Sequence, residues 1–336
     1  MKARYSKKTF HFKRPSGTSR GILTEKHAWF VEVWHESAPE TKGIGECSII
    51  PGLSTDFVDF DTYEAKVAET CEDLTTDLTN WPSIKFGVET ALLDLENGGQ
   101  GVIFKNDFAL GKKAIPINGL IWMGDPDFMQ QQIEEKLTQG FKTIKLKIGA
   151  IDFESELQLL RSIRARYSKD EITLRVDANG AFGTDEALSK LTELSKLDIH
   201  SIEQPIRQGQ FSEMRKLCDQ TPLPIALDEE LIGVHHTDQK IELLDTIRPQ
   251  YIILKPSLHG GIEGTQEWIR LAEERNIPWW ITSALESNIG LNAICQLTAE
   301  YSNELPQGLG TGSLYTDNIP SNLQVQKGTI SLADVE

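Results

Sequence analysis

The chain has 336 residues, of which 39% are hydrophobic and 25% charged, a composition typical of a globular protein with a large core. Its 50 acidic residues outnumber its 34 basic ones, and the resulting net charge of −16 disfavours nucleic acids and anionic membranes as partners. Four scattered cysteines, no signal-peptide pattern and no long apolar run predict a reduced, cytoplasmic protein rather than a disulfide-bonded or membrane-spanning one.

The first hundred residues predict a separate α+β unit. Residues 28–36 are rich in aromatic and β-branched side chains, which favour a strand, and residues 42–53 suggest a strand that runs into a loop. Residues 61–78 show a helical pattern. A second helix is predicted over residues 83–95, where apolar residues recur at three- and four-residue steps before an Asn-Gly-Gly terminator.

Beyond about residue 113, short apolar strands alternate with amphipathic helices such as 153–167, 185–197 and 262–275. This alternation predicts a parallel sheet, and eight repeats favour a (β/α) barrel over an open sheet. A glycine-rich turn at residues 308–312 has no long helix after it, so we interpret it as an active-site loop rather than a dinucleotide site. The predicted strands lie at residues 115–122, 143–148, 172–176, 201–203, 225–227, 251–255, 279–282 and 305–309.

Five charged residues follow five successive predicted strands at intervals of 25 to 30 residues, about one βα unit each. They are Lys147, Asp177, Glu203, Asp228 and Lys255. In a βα barrel this spacing places them together on the C-terminal rim, with three carboxylates between two lysines. A single acid at a strand end is often only a helix cap or an ion pair, but five charged residues at this spacing favour an active site.

Three neighbouring carboxylates predict a bound cation, because their mutual repulsion would otherwise raise their pKa values. Oxygen ligands suit a hard ion, so we predict Mg²⁺, with Mn²⁺ as the alternative. Lys145 shares a strand face with Lys147, and Arg175 has the same relation to Asp177. A divalent ion, three lysines and three carboxylates give a local charge of about +2, which indicates a carboxylate substrate and proton abstraction next to that carboxylate.

Other motifs are weaker. The seven histidines form no zinc-binding H-x-x-x-H or H-E-x-x-H pattern. Asn179 shares a face with Asp177, so it either begins a turn or contacts the substrate. Ser54, in a Gly-Leu-Ser loop, is a candidate for a lid over the site.

The motifs that carry these residues resemble those of the enolase superfamily, in the two-lysine subgroup of the muconate cycloisomerases. They are KLKIG, RVDANG, SIEQP, ALDEE and ILKPS, and FGVETALLDLENG resembles the second long helix of the capping domain. The resemblance covers essentially the whole chain. It implies a modified (β/α)7β TIM-type barrel over residues 113–305, an α+β capping domain over residues 1–112, and a segment, 306–336, that returns to the capping domain.

The resemblance also implies a role for each residue. Asp177, Glu203 and Asp228 would bind Mg²⁺, or Mn²⁺ as the alternative. Lys147 would be the catalytic base, and Lys255 would stabilise an enediolate from the other side of the substrate. The predicted substrate contacts are Lys145, Asn179, Ser283, Glu286, Arg175 and Ser54.

Within the superfamily, residues 282–287 and the loop at 52–54 most resemble the o-succinylbenzoate synthases, and this loop and the one around 14–21 would close over the site. The resemblance implies a lyase of menaquinone biosynthesis. Its reaction would be a Mg²⁺-dependent syn-dehydration of 2-succinyl-6-hydroxy-2,4-cyclohexadiene-1-carboxylate, a dianion, to 2-succinylbenzoate. The alternatives are an N-acylamino-acid racemase or a dipeptide epimerase on the same two lysines, and a non-catalytic binding barrel. Dipeptide epimerases typically carry a D-x-D motif near the end of the barrel, and none stands at the matching place in this sequence. The oligomeric state stays open.

Overall fold

The computed structural model describes residues 1–18, 21–122 and 124–333, so residues 19–20 of the loop predicted around 14–21 lie outside the described residues. The chain begins with antiparallel strands that are hydrogen-bonded in chain order. They are β1 (Lys2–Thr18), β2 (Gly21–His35) and β3 (Ala38–Ser48). The sequence predicted β2 and β3 but not β1, which pairs along β2 from Lys2 opposite Trp34 to His11 opposite Glu25.

Helices cover one face of this sheet; they are α1 (Phe60–Glu72) and α2 (Pro82–Glu96). The apolar core between the sheet and the helices includes Trp29, Tyr63 and Ile84. Strand β3 and helix α2 approach closely because both carry glycine at the contact. A Cβ on Gly45 would lie 1.8 Å from the carbonyl oxygen of Gly87.

Helix α1 ends at Glu72, before the predicted end at residue 78. Asp73 accepts hydrogen bonds from the N–H and hydroxyl of Thr75, and Asp77 does the same for Thr79. Such short-range bonds compete with helical hydrogen bonding, which explains the early end of the helix.

A short strand, β4 (Ile115–Pro116), precedes the barrel. The barrel strands are β5 (Gly119–Ile121), β6 (Thr143–Lys147), β7 (Thr173–Asp177), β8 (Ile199–Glu203), β9 (Ile225–Leu227), β10 (Tyr251–Leu254) and β11 (Trp279–Ile281). The helices that follow them in turn are α3 (Pro126–Thr138), α4 (Phe153–Arg166), α5 (Ala187–Ser195), α6 (Phe211–Gln220), α7 (Thr237–Ile247), α8 (Gly261–Glu273) and α9 (Asn288–Ala299). In the described part of the chain, these seven strands form one parallel sheet in chain order.

Residues 307–308 close this sheet into a barrel. Gln307 bridges to Ile117 beside β5, and Gly308 bridges to Thr282 directly after β11, so the segment joins the two edges. A Cβ on Gly308 would lie 2.2 Å from the hydroxyl oxygen of Thr282, so glycine is required at this contact. The eighth predicted strand is therefore a two-residue pairing, and the (β/α)7β TIM-type barrel is confirmed.

After the barrel the chain contacts the cap strands and then returns to β4, the short strand that precedes the barrel. Tyr315 forms a β-bridge with Phe12 of β1. The last strands, β12 (Leu323–Gln326) and β13 (Thr329–Leu332), form a hairpin, and β13 also pairs with β4. The division of the chain at residues 112 and 305 stays a prediction.

The cysteines do not form disulfides. All four positions are described; Cys47, Cys218 and Cys295 are buried free thiols, and Cys71 is a half-buried one. Burial raises the pKa of each thiol, which disfavours the reactive thiolate form. Separately, none of the described helices combines the length and apolar character needed to cross a bilayer.

Candidate active site

A cavity of about 930 Å³, counted out to its open mouth, lies at the C-terminal ends of the barrel strands. Residues from the cap and from the strand ends form its wall together. The described polar side chains in this wall are Asn118, Lys145, Lys147, Asp177, Asn179, Glu203, Asp228, Glu229, Lys255, Thr282, Ser283 and Thr311. The five rim residues predicted from the sequence thus meet in one cavity.

Strand geometry explains why these side chains meet. Successive side chains of a strand point to opposite faces, so Lys145 and Lys147 of β6 face the barrel interior while Leu146 packs outward. Parallel pairing then aligns the rim, because Lys147 lies opposite Asp177 and Asp177 lies opposite Glu203. Strand alternation and parallel register together place the charged side chains at the same height along the barrel axis, at the C-terminal ends of the strands.

Lys147 and Lys255 lie on opposite sides of the cavity. When the closing segment at 307–308 is counted as the eighth member of the barrel, β6 and β10 are four places apart in either direction among the described strands. Asp177, Glu203 and Asp228 come from the ends of the strands between them. A molecule held between the lysines would therefore have an amine on each side and carboxylates along one edge.

Lys145 and Lys147 neutralise the carboxylates nearest to them. Lys147 Nζ lies 2.9 Å from Asp177 Oδ2 and donates to Asn179 Oδ1 at 2.8 Å. Lys145 Nζ lies 3.0 Å from Asp177 Oδ2 and 2.5 Å from Glu203 Oε2, so its ammonium group bridges the two acids. Because these carboxylates are almost fully buried, the ion pairs are little screened by water.

The other side of the site is paired in the same way. Lys255 donates to Asp228 Oδ2, and Asn179 Nδ2 donates to Glu229 Oε1 at 3.0 Å. Asp228 Oδ1 is buried and has no hydrogen-bond partner among the described residues. One oxygen of this rim carboxylate is therefore available to a further ligand.

Burial and charge shift the pKa values of these acids in different directions. Burial raises the pKa of Asp177, but Lys145 and Lys147 outweigh it and hold that pKa well below its ordinary value. For Glu203, burial and the charge of Asp177 raise the pKa well above its ordinary value. Burial also raises the pKa of Glu229. Burial therefore opposes the ionisation of Glu203 and Glu229, whereas the lysines favour the ionised form of Asp177.

The donor set fits a divalent cation. The described carboxylates of the cavity are Asp177, Glu203, Asp228 and Glu229, and three lysines face them. Fully ionised, the site has an excess of about one negative charge, which a hard cation with oxygen ligands would relieve. Among the described residues no three His, Cys, Asp or Glu side chains converge on one point; Lys145 bridges two of the acids and Lys255 pairs with a third.

Arg175 does not line the cavity, although it shares a strand face with Asp177. Its Nη1 donates to the carbonyl of Pro306 at 2.7 Å, and its guanidinium lies 4.0 Å from the ring centre of Trp280. Burial lowers the pKa of Arg175 to about 10, so the side chain stays charged at neutral pH. Arg175 therefore stabilises the barrel interior below the rim and lies too deep to line the site.

Of the remaining predicted substrate contacts, Ser283 lines the cavity, whereas Glu286 and Ser54 lie behind its wall. Glu286 Oε2 accepts the N–H of Ala284 at 2.7 Å. Ser54 Oγ accepts the N–H of Ile50 at 2.9 Å. Both side chains hold a residue that does line the cavity, so the structure gives them an indirect place in the site.

The sequence reasoning missed Glu229. Asp228 separates β9 from a 3-10 helix, Glu229–Leu231, so strand alternation ends there and the adjacent acids at 228 and 229 both reach the cavity. The acidic pair after a predicted strand was the available signal. With this fourth carboxylate, the local charge expected with a divalent ion falls from about +2 to about +1.

Some of the small and apolar residues of the wall come from two other regions. Leu23, Ile50 and Leu53 extend from the cap, and Gly308 and Gly310 belong to the glycine-rich turn. The turn therefore lies where an active-site loop was expected. The cap residues follow no periodic pattern that would have singled them out.

Comparison with known proteins gives consistent matches. Residues 129–335 match the family described as "Enolase C-terminal domain-like". An o-succinylbenzoate synthase from Desulfotalea psychrophila is 48% identical, with 99% of both chains covered. A D-Ala-D/L-Ala epimerase from Cytophaga hutchinsonii is 29% identical, with 84% of this chain and 78% of that protein covered. The crystal structure of MenC from Desulfotalea psychrophila LSv54 superimposes with a TM-score of 0.85 at 45% identity, covering 99% of each chain.

Proposed function

This chain belongs to the enolase C-terminal domain-like family of the enolase superfamily, and on that premise we propose that it is an o-succinylbenzoate synthase. The observation that carries the proposal is the match over the whole chain, at 48% identity to an o-succinylbenzoate synthase against 29% to an epimerase over a smaller share. The reaction is the dehydration of 2-succinyl-6-hydroxy-2,4-cyclohexadiene-1-carboxylate to 2-succinylbenzoate, a step of menaquinone biosynthesis.

Asp177, Glu203 and Asp228 would hold the divalent ion, Mg²⁺ or alternatively Mn²⁺. The negative charge excess of the cavity and the buried, unpartnered Asp228 Oδ1 support this assignment. When bound, the ion supplies positive charge beside the substrate carboxylate, which lowers the energy of the negative charge that develops there as the neighbouring proton leaves. Lys145 adds positive charge beside two of these protein carboxylates, Asp177 and Glu203.

Lys147 is the base. Its side-chain nitrogen removes the proton on the carbon next to the substrate carboxylate and then delivers that proton to the departing hydroxyl, which leaves as water. One C–H bond and one C–O bond break, and a ring double bond forms. Because Lys147 takes a proton and gives it back on the same face of the ring, it ends each turnover as it began. Asn179, which accepts from Lys147 at 2.8 Å, orients the amine.

Lys255 acts from the other face of the substrate. Its ammonium stabilises the enediolate formed after proton removal, and its ion pair with Asp228 holds it in place. A local charge of about +1 with the ion bound, together with Lys145, Asn179 and Ser283 in the wall, suits a small dianionic carboxylate.

The remaining predicted residues act through their neighbours. Glu286 sets the position of Ala284, and Ser54 sets the position of Ile50. Arg175 supports the rim from below. We assign residues 1–112 to the capping domain, 113–305 to the barrel and 306–336 to a returning segment, and we expect the enzyme to work in the cytoplasm.

The test is a UV assay with the cyclohexadiene substrate, because aromatisation of the ring changes its absorbance. We expect product with Mg²⁺ and none after removal of metal with EDTA. Proton exchange in D₂O with N-succinyl amino acids and dipeptides serves as the comparison. Exchange without dehydration would contradict the proposal and favour the racemase or epimerase alternative.

A further inference from the structure

Buried polar side chains connect the capping domain to the loop after β11. They are Lys26 of β2, Glu46 of β3, Glu286 and Tyr315, and we refer to them as the cap–barrel latch. All of them are less than 5% exposed. The loop they hold, residues 283–287, is referred to as the β11 loop.

The latch holds two successive carbonyl groups of the β11 loop from outside the barrel. Lys26 Nζ donates to the carbonyl of Ala284. The hydroxyl of Tyr315 donates to the carbonyl of Leu285 at 2.6 Å. Because peptide groups are planar, fixing two successive carbonyls fixes the orientation of the backbone between them.

Glu286 ties the same loop to the segment that carries Lys255. Its Oε2 accepts the N–H of Ala284 at 2.7 Å, and its Oε1 accepts the hydroxyl of Ser257 at 2.5 Å. Ser257 stands two residues after Lys255 and is fully buried. The latch therefore connects the cap to both cavity-lining segments on this side of the barrel.

Glu46 anchors the end of the loop at the start of α9. Its carboxylate accepts the N–H of Ser287 at 2.9 Å, the hydroxyl of Ser287 at 2.5 Å and the N–H of Gly290 at 2.9 Å. A carboxylate from the cap thus binds the free N–H groups of a barrel helix, where the helix dipole favours negative charge. Burial lowers the pKa of Lys26, but Glu286 and Glu46 oppose this effect.

The held loop is part of the active-site wall. Ser283, Ala284 and Leu285 line the cavity. Leu285 has a φ of +63°, in the left-handed region that a leucine rarely adopts, so the surrounding contacts must hold it there. We propose that Lys26, Glu46 and Tyr315 are positioning residues that fix the β11 loop for substrate binding, a role that rests on the proposed dehydratase function.

Tyr315→Phe is the mildest test, because it removes one hydroxyl and leaves the ring. Its matched control is Tyr63→Phe, which removes another fully buried hydroxyl, bonded to Ser83 at 2.5 Å inside the cap and away from the cavity. We expect about a 5-fold rise in KM for Tyr315→Phe and less than a 2-fold change for the control.

Lys26→Met is the stronger test, because it removes the ammonium and keeps much of the side-chain volume. Its matched control is Lys240→Met, since Lys240 is also buried and donates to a backbone carbonyl and to Glu267 on the outer helices. We expect about a 20-fold rise in KM for Lys26→Met, partial recovery in Lys26→Arg, and less than a 2-fold change in the control.

Hydrogen–deuterium exchange supplies a readout that does not depend on turnover. We expect faster exchange in residues 283–287 of Lys26→Met and Tyr315→Phe, with unchanged exchange in the controls. The comparison is made between latch variants and control variants that have the same Tm. If their KM values and their exchange rates in residues 283–287 are equal, the proposal is overturned. If the unmodified enzyme shows no dehydration, the proposed function fails, and the exchange data alone still decide whether the latch holds the loop.

Discussion

The barrel rim and the capping domain build one cavity by different means. On the rim, Lys147, Asp177 and Lys255 come from strand ends at regular intervals and carry charge. In the cap, Ile50 and Leu53 come from a single loop and supply apolar surface. We therefore expect the rim to determine which reaction can occur, and the cap to determine the shape of the molecule that reaches it.

This division has a physical basis. Strand alternation and parallel register fix side-chain positions closely, which proton transfer between a lysine and a substrate carbon requires. Apolar contacts tolerate larger shifts, because the free energy of burying apolar surface depends on area more than on direction. Changes at the rim should therefore affect kcat, and changes in the cap loops should affect KM.

The largest expected effect is at the rim. Lys147→Ala should lower kcat for dehydration by about 10⁴-fold, because it removes the proposed base. The Tm should change little, since Lys145 still pairs with Asp177 at 3.0 Å. Turnover of the purified variant and its melting curve are the measurements. A variant that keeps a tenth of the activity would show that the rim does not carry the chemistry.

The next effect concerns the metal. In the unmodified protein, Mg²⁺ at about 100 times its Kd should raise the free energy of unfolding by about 2.7 kcal/mol, and Glu203→Gln should abolish this increase. Glu89→Gln, at a half-buried glutamate outside the cavity, is the control that should keep it. Thermal melts with and without Mg²⁺ measure the effect. If Mg²⁺ stabilised Glu203→Gln as much as the unmodified protein, Glu203 would not be a ligand of the ion.

A third prediction concerns the cap core. Burial raises the pKa of Asp56 to about 6, although Ser83 donates to it. The folded-state pKa of Asp56 lies above its unfolded-state pKa, so ionisation of this buried carboxyl destabilises the fold. This loss of stability is absent below pH ~4, grows as the pH rises to ~6 and stays constant above it. Relative to Asp56→Asn, the protein should lose about 3 kcal/mol over this interval.

Urea unfolding of both proteins between pH 4 and pH 7 measures this difference. Parallel stability curves would show that Asp56 does not titrate in the folded cap. Turnover should stay the same in the variant, because Asp56 lies outside the cavity. A pH-dependent loss of stability with unchanged turnover would show that a buried charge in the cap affects stability without affecting the chemistry at the rim.

The smallest effect should come from the apolar wall. Leu53→Ala should raise KM by about 10-fold with less than a 2-fold change in kcat, because it removes apolar contact with the substrate. Leu74→Ala, in the cap core away from the cavity, should lower the Tm and leave KM unchanged. Steady-state kinetics separates the two. A loss of kcat in Leu53→Ala would show that the cap loop also positions the chemistry.

The rim was predictable because two regularities agree there. The repeat of the βα unit fixed which strands carry charge, and alternation fixed which side chains face inward, so Lys145 and Lys147 were both assigned to the interior. The same reasoning could not separate Lys145 from Arg175. Lys145 reaches Glu203, whereas Arg175 turns to the carbonyl of Pro306, a residue far away in sequence.

The cap was harder to predict because its signals are mixed. Strand β1 carries basic residues along much of its length, which mask the alternation, yet its Phe10 and Phe12 are buried. In the sequence, Glu46 is a polar residue near the end of a strand, and nothing there indicates a contact with the barrel. Its partners, Ser287 and Gly290, lie at the start of α9, so the contact depends on how the two domains pack.

The closure of the barrel by Gln307 and Gly308 has a consequence for synthesis. A nascent chain that has left the ribosome only as far as residue 306 already contains β5 and β11, but both lack their last neighbour. Each then exposes unpaired N–H and C=O groups, to which another incomplete chain can add. We therefore expect these two edges to be the points at which incomplete chains associate until residues 307–308 close the ring.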